Sequence, residues 1–212
     1  MHPVPSPTFA AIVVAAGQGL RAGQSVPKQF AKWRGKSVVR HSVEALLAAG
    51  ASGVFVAIPE GAEEIASAAL AALPVRFVTG GATRQRSVAL ALEALAGQNP
   101  DRVLIHDAAR PELPADVITR LLAALDDLAG AIPALPVVDS MVHADGNTMG
   151  DPADRDLLRR VQTPQAFRFA DILAAHRGWQ GEPTAGDDAQ VLKAAGGAVA
   201  LVEGDARLAK LT

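Results

Sequence analysis

The stretch Phe9-Ala-Ala-Ile-Val-Val14 runs straight into Ala15-Ala-Gly-Gln-Gly-Leu-Arg-Ala-Gly-Gln-Ser-Val-Pro-Lys28. A short apolar run bounded by glycine reads as a buried strand opening into a glycine-rich loop. Gly17, Gly19 and Gly23 remove side chains that would keep backbone N–H groups away from a ligand. Bare N–H groups in succession make a concave anion site, and Arg21 and Lys28 add full positive charges to it. The bland alternative is a pair of solvated surface cations.

The same pattern continues along the chain. Further strands are expected at Gly53–Ile58, Val75–Val78, Arg102–Ile105, Gly130–Ala134 and Ala198–Val202. Helices are expected near Val38–Ala49, Ala62–Leu73, Arg84–Ala96, Ala115–Leu128, Phe169–His176 and Asp187–Ala195. Near-continuous apolar strands alternating with helices predict an α/β fold, a mostly parallel sheet with helices on both faces. Thr83 is placed to cap the helix starting at Arg84, and Gly50 and Gly196-Gly197 to close two others. One stretch breaks the alternation. From Pro136 to Thr148 the chain reads as a strand ending in an Asp145-Gly146 turn, with Leu157–Gln162 as its return. This predicts a protruding β-arm at about residues 137–162, covered either by a second subunit or by its own domain.

With 212 residues, 50% hydrophobic and 20% charged, the chain suits one domain, spanning residues 1–212. A net charge of -2 provides no global basic field, so nucleic acid is not an expected partner. The absence of cysteine excludes disulfides and thiolate metal sites. Met1-His-Pro-Val-Pro-Ser-Pro7 has neither the charged start nor the apolar core of a signal peptide, and no apolar run reaches membrane-span length. The expectation is a cytoplasmic protein with no membrane partner.

Three nucleotide readings compete for the first loop. Gly17-x-Gly19-x-x-Ala22 fits a loose dinucleotide fingerprint. That fold also needs a helix directly after the glycines and an acidic residue about 20 residues on. Pro27 opposes the helix, and Ser37-Val-Val-Arg-His-Ser42 holds no carboxylate. Gly35-Lys36-Ser37 ends like a phosphate loop, but Phe30 stands where its first glycine belongs. The third reading is a nucleotidyltransferase loop, in which N–H groups hold a triphosphate and Arg21 and Lys28 flank the reacting phosphorus. Charge gathers on the α-phosphate oxygens during in-line attack, and each fixed cation is worth about 3–4 kcal/mol if it acts like one oxyanion-hole donor.

Other motifs point the same way. In Val103-Leu-Ile-His-Asp-Ala-Ala-Arg-Pro111, Asp107 follows a buried strand, where open α/β sheets place ligands. A lone carboxylate there suits Mg²⁺, which takes one or two protein oxygens along with substrate phosphates; a capping aspartate is the competing reading. His106 reads as a packed core histidine. In Gly80-Gly-Ala-Thr-Arg-Gln-Arg-Ser-Val88, N–H groups and the Ser87 hydroxyl suit a base edge, and Arg84 or Arg86 a phosphate. Taken alone, that segment is equally an ordinary β–α connection. Arg155 and Thr163 flank the arm, where a guanidinium and a hydroxyl suit a phosphate ester or a surface ion pair.

In order along the chain, Ala15-Ala-Gly-x-Gly-x-Arg-x-Gly-x-x-x-Pro-Lys-Gln29, Gly80-Gly-x-x-Arg-x-x-Ser-Val88, His106-Asp-Ala-Ala-Arg-Pro111 and Gln162-Thr-Pro-Gln165 resemble the 2-C-methyl-D-erythritol 4-phosphate cytidylyltransferases. The resemblance runs from about Ala10 to the C-terminus. It implies a Rossmann-like nucleotidyltransferase fold and a homodimer formed through the arm. The implied reaction is Mg²⁺-dependent and joins CTP to methylerythritol 4-phosphate with release of pyrophosphate, in the non-mevalonate route to isoprenoid precursors. Another polyol phosphate, such as ribitol 5-phosphate, is the alternative acceptor.

Carried over by position, Arg21 and Lys28 stabilise the transition state and Asp107 holds the metal. Ala15, Ala16, Gly17 and Gly19 lie against the nucleotide, and Gly81 and Ser87 read cytosine. Arg155 and Lys210 position the sugar phosphate, with Ser140, Arg110 and Thr163 nearby. The chain also departs from the family. Ser140 replaces a threonine, Gly186 replaces a β-branched or hydroxyl residue, and Arg207 and Leu208 replace an acid and an asparagine. Asp205 is the shifted carboxylate left to serve a second metal contact. Relatives continue into a further helix after Lys210, so whatever braces that lysine in them is expected to be missing or replaced.

Overall fold

In the computed structural model, which describes residues 8–17 and 26–211, the opening apolar run forms β1 (Phe9–Val14) inside an eight-stranded sheet. Phe9, Ala11 and Val13 face one hydrophobic cluster, and Ala10 and Ile12 face another. This is the period-two alternation of a strand covered on both sides. A small hairpin follows, β2 (Lys32–Trp33) and β3 (Lys36–Ser37). It turns at Arg34 and Gly35, both at positive φ, the backbone that a two-residue hairpin loop requires.

The chain then builds α1 (Val38–Ala48), β4 (Val54–Ile58), α2 (Glu63–Ala69), β5 (Val75–Thr79), α3 (Arg84–Leu95) and β6 (Arg102–Asp107). These strands lie parallel in the spatial order β5-β4-β1-β6. Helices α1 and α2 cover one face and α3 the other, burying Val39, Val43 and Leu46 on one side and Val88, Leu92 and Leu95 on the other. Burying each such side chain contributes roughly 1.5–3 kcal/mol. Because β4 and β5 grow away from one edge of β1 and β6 joins its other edge, the strand order reverses between β1 and β6. A crevice opens at such a reversal, beyond the carboxyl ends of the strands.

Next come α4 (Ala115–Ala124), β7 (Gly130–Pro136), β8 (Met141–Asp145), β9 (Thr148–Ala153), β10 (Arg159–Val161), β11 (Gln165–Arg168), α5 (Phe169–Gly178), α6 (Asp188–Ala194) and β12 (Val199–Glu203). Strand β11 is antiparallel to both β6 and β7 and lies between them. Strand β12 is parallel to β7 on the opposite edge from β10 and β11, since Ala134 pairs with both Val161 and Glu203. The sheet is therefore mostly parallel at its centre, with an antiparallel insertion. Among the described residues no helix is long and apolar enough to cross a membrane.

All six expected strands and six expected helices form, with adjusted ends. The Thr83 hydroxyl caps α3 by accepting from the Arg86 N–H at 3.1 Å. Gly50 and Gly196 close α1 and α6 at φ +88° and +87°. The arm needs correction. Its hairpin is β8 with β9, turning after Asp145, and Leu157–Gln162 is not the returning strand. Residues 159–161 instead pair with β7 in the main sheet. Strand β11 is an addition to the expected set; its four residues, with polar ends and Pro164 before them, carry little strand signal.

Candidate active site

A cavity of about 640 Å³ occupies the crevice, within the range of small-molecule sites. Three segments wall it. Residues 14–17 leave the end of β1, residues 81–84 enter α3 together with Ser87, and residues 107–109 leave β6. Lys28, Gln29 and Lys210 complete the lining. Gln29 shapes the first wall, its Nε2 donating to the carbonyls of Ala15 at 2.7 Å and Gly17 at 2.9 Å. Gln29 stands in the first sequence motif, but nothing in the pattern points to this bracing role.

The second wall is set by close backbone packing. A Cβ at Gly80 would collide with the Ala16 methyl and come within 2.9 Å of the Ser87 hydroxyl. Only glycine lets the loops after β1 and β5 approach this closely. The Ser87 Oγ accepts from the Gly81 N–H at 3.0 Å and donates to the Thr83 carbonyl at 2.9 Å. That pair holds the turn against the cavity.

Asp107 ends β6 inside this space with both carboxylate oxygens engaged. Oδ1 accepts from Arg84 Nε at 3.1 Å and Oδ2 from Lys210 Nζ at 2.9 Å. Burial works to raise its carboxyl pKa, but the charges of Arg84 and Lys210 outweigh it and hold the group well below the usual carboxylate range. The Asp107 N–H donates to Thr163 Oγ1 at 3.0 Å. That hydroxyl in turn lies 3.3 Å from His106 Nδ1, while His106 Nε2 lies 2.9 Å from the Arg110 carbonyl. A carbonyl only accepts, so Nε2 carries the proton and Nδ1 accepts from the hydroxyl. Both ring nitrogens are thus satisfied in the neutral form, and burial pushes His106 down to about 4. His106 is the packed core histidine that the sequence suggests.

Among the described residues no cluster of three or more acidic, histidine or cysteine side chains could enclose a metal. The donor set fits a single Mg²⁺ that relies on substrate phosphates and water for its other ligands. Among the described residues Oδ2 is held by Lys210 alone, and both residues belong to the cavity lining. Asp205 does not add a second ligand here. Its carboxylate caps the following turn through the Arg207 N–H at 2.8 Å, pairs with the Arg207 guanidinium at 2.6 Å, and is not part of the lining.

Of the residues expected at the site, Ala15, Ala16, Gly17, Lys28, Gly81, Ser87, Asp107 and Lys210 line the cavity. Gly19 and Arg21 lie outside the described residues. Thr163 sits behind Asp107, buried, with its hydroxyl already committed. Arg110 lies beside the wall, its guanidinium donating to the Leu208 carbonyl. Ser140 and Arg155 belong to the exposed arm and are not part of the lining; Arg155 donates to the Val138 carbonyl at 2.7 Å. Arg84 is not free for a phosphate, since it bridges Asp107 and Asp188. Arg86 is exposed and outside the lining. Lys210 has a brace of its own: the Leu211 N–H donates to the Ala109 carbonyl at 2.8 Å, next to the Arg110–Leu208 contact.

Comparison with known proteins finds relatives over nearly the whole chain. The family model described as IspD, 2-C-methyl-D-erythritol 4-phosphate cytidylyltransferase, matches residues 9–212. A bifunctional enzyme IspD/IspF of Erythrobacter litoralis is 65% identical over 211 residues, covering 99% of this chain and 55% of the relative. The chain thus spans about half the length of the bifunctional relatives it matches. A 2-C-methyl-D-erythritol 4-phosphate cytidylyltransferase of Cereibacter sphaeroides is 48% identical over 200 residues, covering 93% of this chain and 88% of the relative. The crystal structure of the enzyme of that name from Thermus thermophilus superposes with a TM-score of 0.81 at 36% identity, covering 97% of this chain and 93% of that one.

Proposed function

The chain belongs to the 2-C-methyl-D-erythritol 4-phosphate cytidylyltransferase family, and we propose that it joins CTP to 2-C-methyl-D-erythritol 4-phosphate. The products are 4-diphosphocytidyl-2-C-methyl-D-erythritol and pyrophosphate, an early step toward isoprenoid precursors. One observation carries the reading. Lys28 and Asp107 line the same cavity, which is walled by the two glycine-bearing loops at the strand-order reversal.

In this reaction an oxygen of the acceptor's phosphate attacks the α-phosphorus of CTP. A new P–O bond forms as the bond to the pyrophosphate oxygen breaks. The acceptor brings its own nucleophile, so the site needs no protein nucleophile. Neutral, buried His106 is not required as a base. The N–H groups around Ala16 and Gly17 cradle the triphosphate, and Gly81 and Ser87 meet the cytosine edge. Lys28 places its ammonium where negative charge grows. Asp107 would hold Mg²⁺, which would neutralise charge on the phosphates. Arg84 keeps the Asp107 carboxylate turned toward the cavity, and Lys210 yields Oδ2 and turns to the substrate phosphates. Catalysis is then mostly orientation and electrostatics.

We assign the arm to a second copy of the chain. Val138, Met141, Val142, Met149, Leu157, Leu158 and Val161 are all exposed on or beside it, and apolar side chains so concentrated call for a partner surface. Because Arg155 does not line its own chain's cavity, it serves the acceptor phosphate in the partner's site. An enzyme of two free phosphorylated metabolites belongs in the cytoplasm. The deciding assay is pyrophosphate release with CTP, Mg²⁺ and a panel of polyol phosphates. Turnover with methylerythritol 4-phosphate is expected, and turnover with ribitol 5-phosphate alone would overturn the assignment.

A further inference from the structure

Behind the cavity a chain of buried ionisable groups leads to Asp107. Arg84, the first residue of α3, uses Nε on Asp107 Oδ1 at 3.1 Å and a terminal nitrogen on Asp188 Oδ2 at 2.8 Å. Asp188, the first residue of α6, is fully buried. Its other oxygen accepts from His176 Nε2 at 3.2 Å. The N–H groups of Asp188 and Ala189 both donate to Gln165 Oε1, at 3.1 and 3.0 Å. Three separate elements, α6, α3 and the end of β6, are therefore joined through one guanidinium.

A buried carboxylate is costly to desolvate, several kcal/mol per ion in real proteins, and an apolar replacement often stabilises as well or better. Stability alone is thus a weak reason for Asp188. Its geometry gives a better one. A carboxylate on a single Cβ–Cγ bond can present either oxygen, whereas here Arg84 holds Oδ1 from a guanidinium that is itself held at its other end. Lys210 contacts only Oδ2, from a flexible stem whose side chain is 45% exposed. Of the two cations, only Lys210 stands where it can leave without breaking a buried pair.

We propose that Asp188, acting through Arg84, is a positioning residue that locks the Asp107 carboxylate so that Oδ2 alone is presented to a divalent cation. The inference rests on the assignment of Asp107 as the metal-holding residue made above. Asp188 is not part of the cavity lining and acts only through Arg84. Partners that orient a metal-binding side chain typically change metal affinity about 10–100-fold when removed.

The test measures Mn²⁺ binding to the full chain with CTP present and no acceptor, by electron paramagnetic resonance, for wild type, Asp188→Asn and Arg84→Lys. Asparagine keeps the shape of Asp188 but loses the charge that holds Arg84. Lysine keeps a charge but cannot span two carboxylates, and it serves if Asp188→Asn fails to fold. Both variants should bind Mn²⁺ about 10–100-fold more weakly, with the metal-free CTP affinity of Asp188→Asn, which lies outside the lining, within about twofold of wild type. Variants that lose thermal stability yet bind Mn²⁺ as wild type does would overturn the proposal and leave the network purely structural. A wild-type protein that binds no Mn²⁺ with CTP would overturn the metal assignment itself, a failure visible without any variant.

Discussion

Lys210 Nζ lies 2.9 Å from Asp107 Oδ2, across 103 residues of chain. The ammonium thus sits on the oxygen that we propose for magnesium, so on that proposal cation and lysine compete for one place. Asp107→Asn removes the charge that favours both. The Mg²⁺ concentration for half-maximal turnover should rise at least about tenfold, as for loss of a charged metal ligand. A magnesium titration of pyrophosphate release checks this, and an unchanged midpoint would move the metal elsewhere.

Lys28 lines the cavity with its Nζ 3.4 Å from the Leu211 carbonyl, a long contact that is easily exchanged for a phosphate. Lys28→Ala should lower turnover by about 10²–10³ with an unchanged circular dichroism spectrum, as expected for a contact strongest in the transition state. Steady-state kinetics at saturating CTP measures it. Turnover within a few-fold of wild type would remove Lys28 from the mechanism.

If Arg155 serves the partner's cavity, defects in different subunits can complement. Lys28→Ala and Arg155→Ala proteins should each be nearly inactive alone. Random mixing makes half the dimers hybrids, and each hybrid has one cavity with both groups intact. Activity should recover to about a quarter of wild type, from binomial pairing of equal amounts in a two-fold dimer. No recovery after subunit exchange would place Arg155 in its own chain's site.

Burial works to raise the Asp188 carboxyl, but Arg84 and His176 outweigh it and hold the group below its ordinary value. A carboxyl depressed in the fold adds stability above its unfolded pKa of about 3.9 and loses it as pH falls through the folded value. The stability advantage that the Asp188 charge gives wild type over Asp188→Asn should therefore shrink as pH falls from about 5 to below about 4. Urea midpoints across that range test it, and a difference that stays flat to low pH would contradict the buried charge pair.

Phe167, in β11, is fully buried. Phe167→Ala should cost about 3–5 kcal/mol through lost burial and the cavity left behind. A urea unfolding curve reads it directly, and a loss below about 1 kcal/mol would mean that the antiparallel insertion contributes little to the core.

The parallel centre of the sheet is legible because strands buried on both faces leave continuous apolar runs, as Phe9–Val14 and Val54–Ile58 do. Helix ends are less so. Helix α2 stops at Ala69, before the expected Leu73, and Ala72 stands at positive φ, a backbone break no residue type announces. Strand β9 eludes a sequence reading because none of its side chains is fully buried. It therefore lacks the alternation that a covered face imposes. At the site, the loop after β1 and Asp107 follow from local pattern. The bridge from Arg84 to Asp188 does not, since it joins residues 104 apart, and such a separation leaves no periodic trace.

The lining of the cavity comes from residues 14–17, from Lys28 and Gln29, from 81–84 with Ser87, from 107–109 and finally from Lys210. A chain ending at Asp205 would contain the residues of all twelve described strands, yet its cavity would lack the ammonium that faces Asp107 and the Leu211–Ala109 tether. The sheet is thus complete in sequence before the cavity is, and the last cation of the lining belongs to a segment that adds no strand.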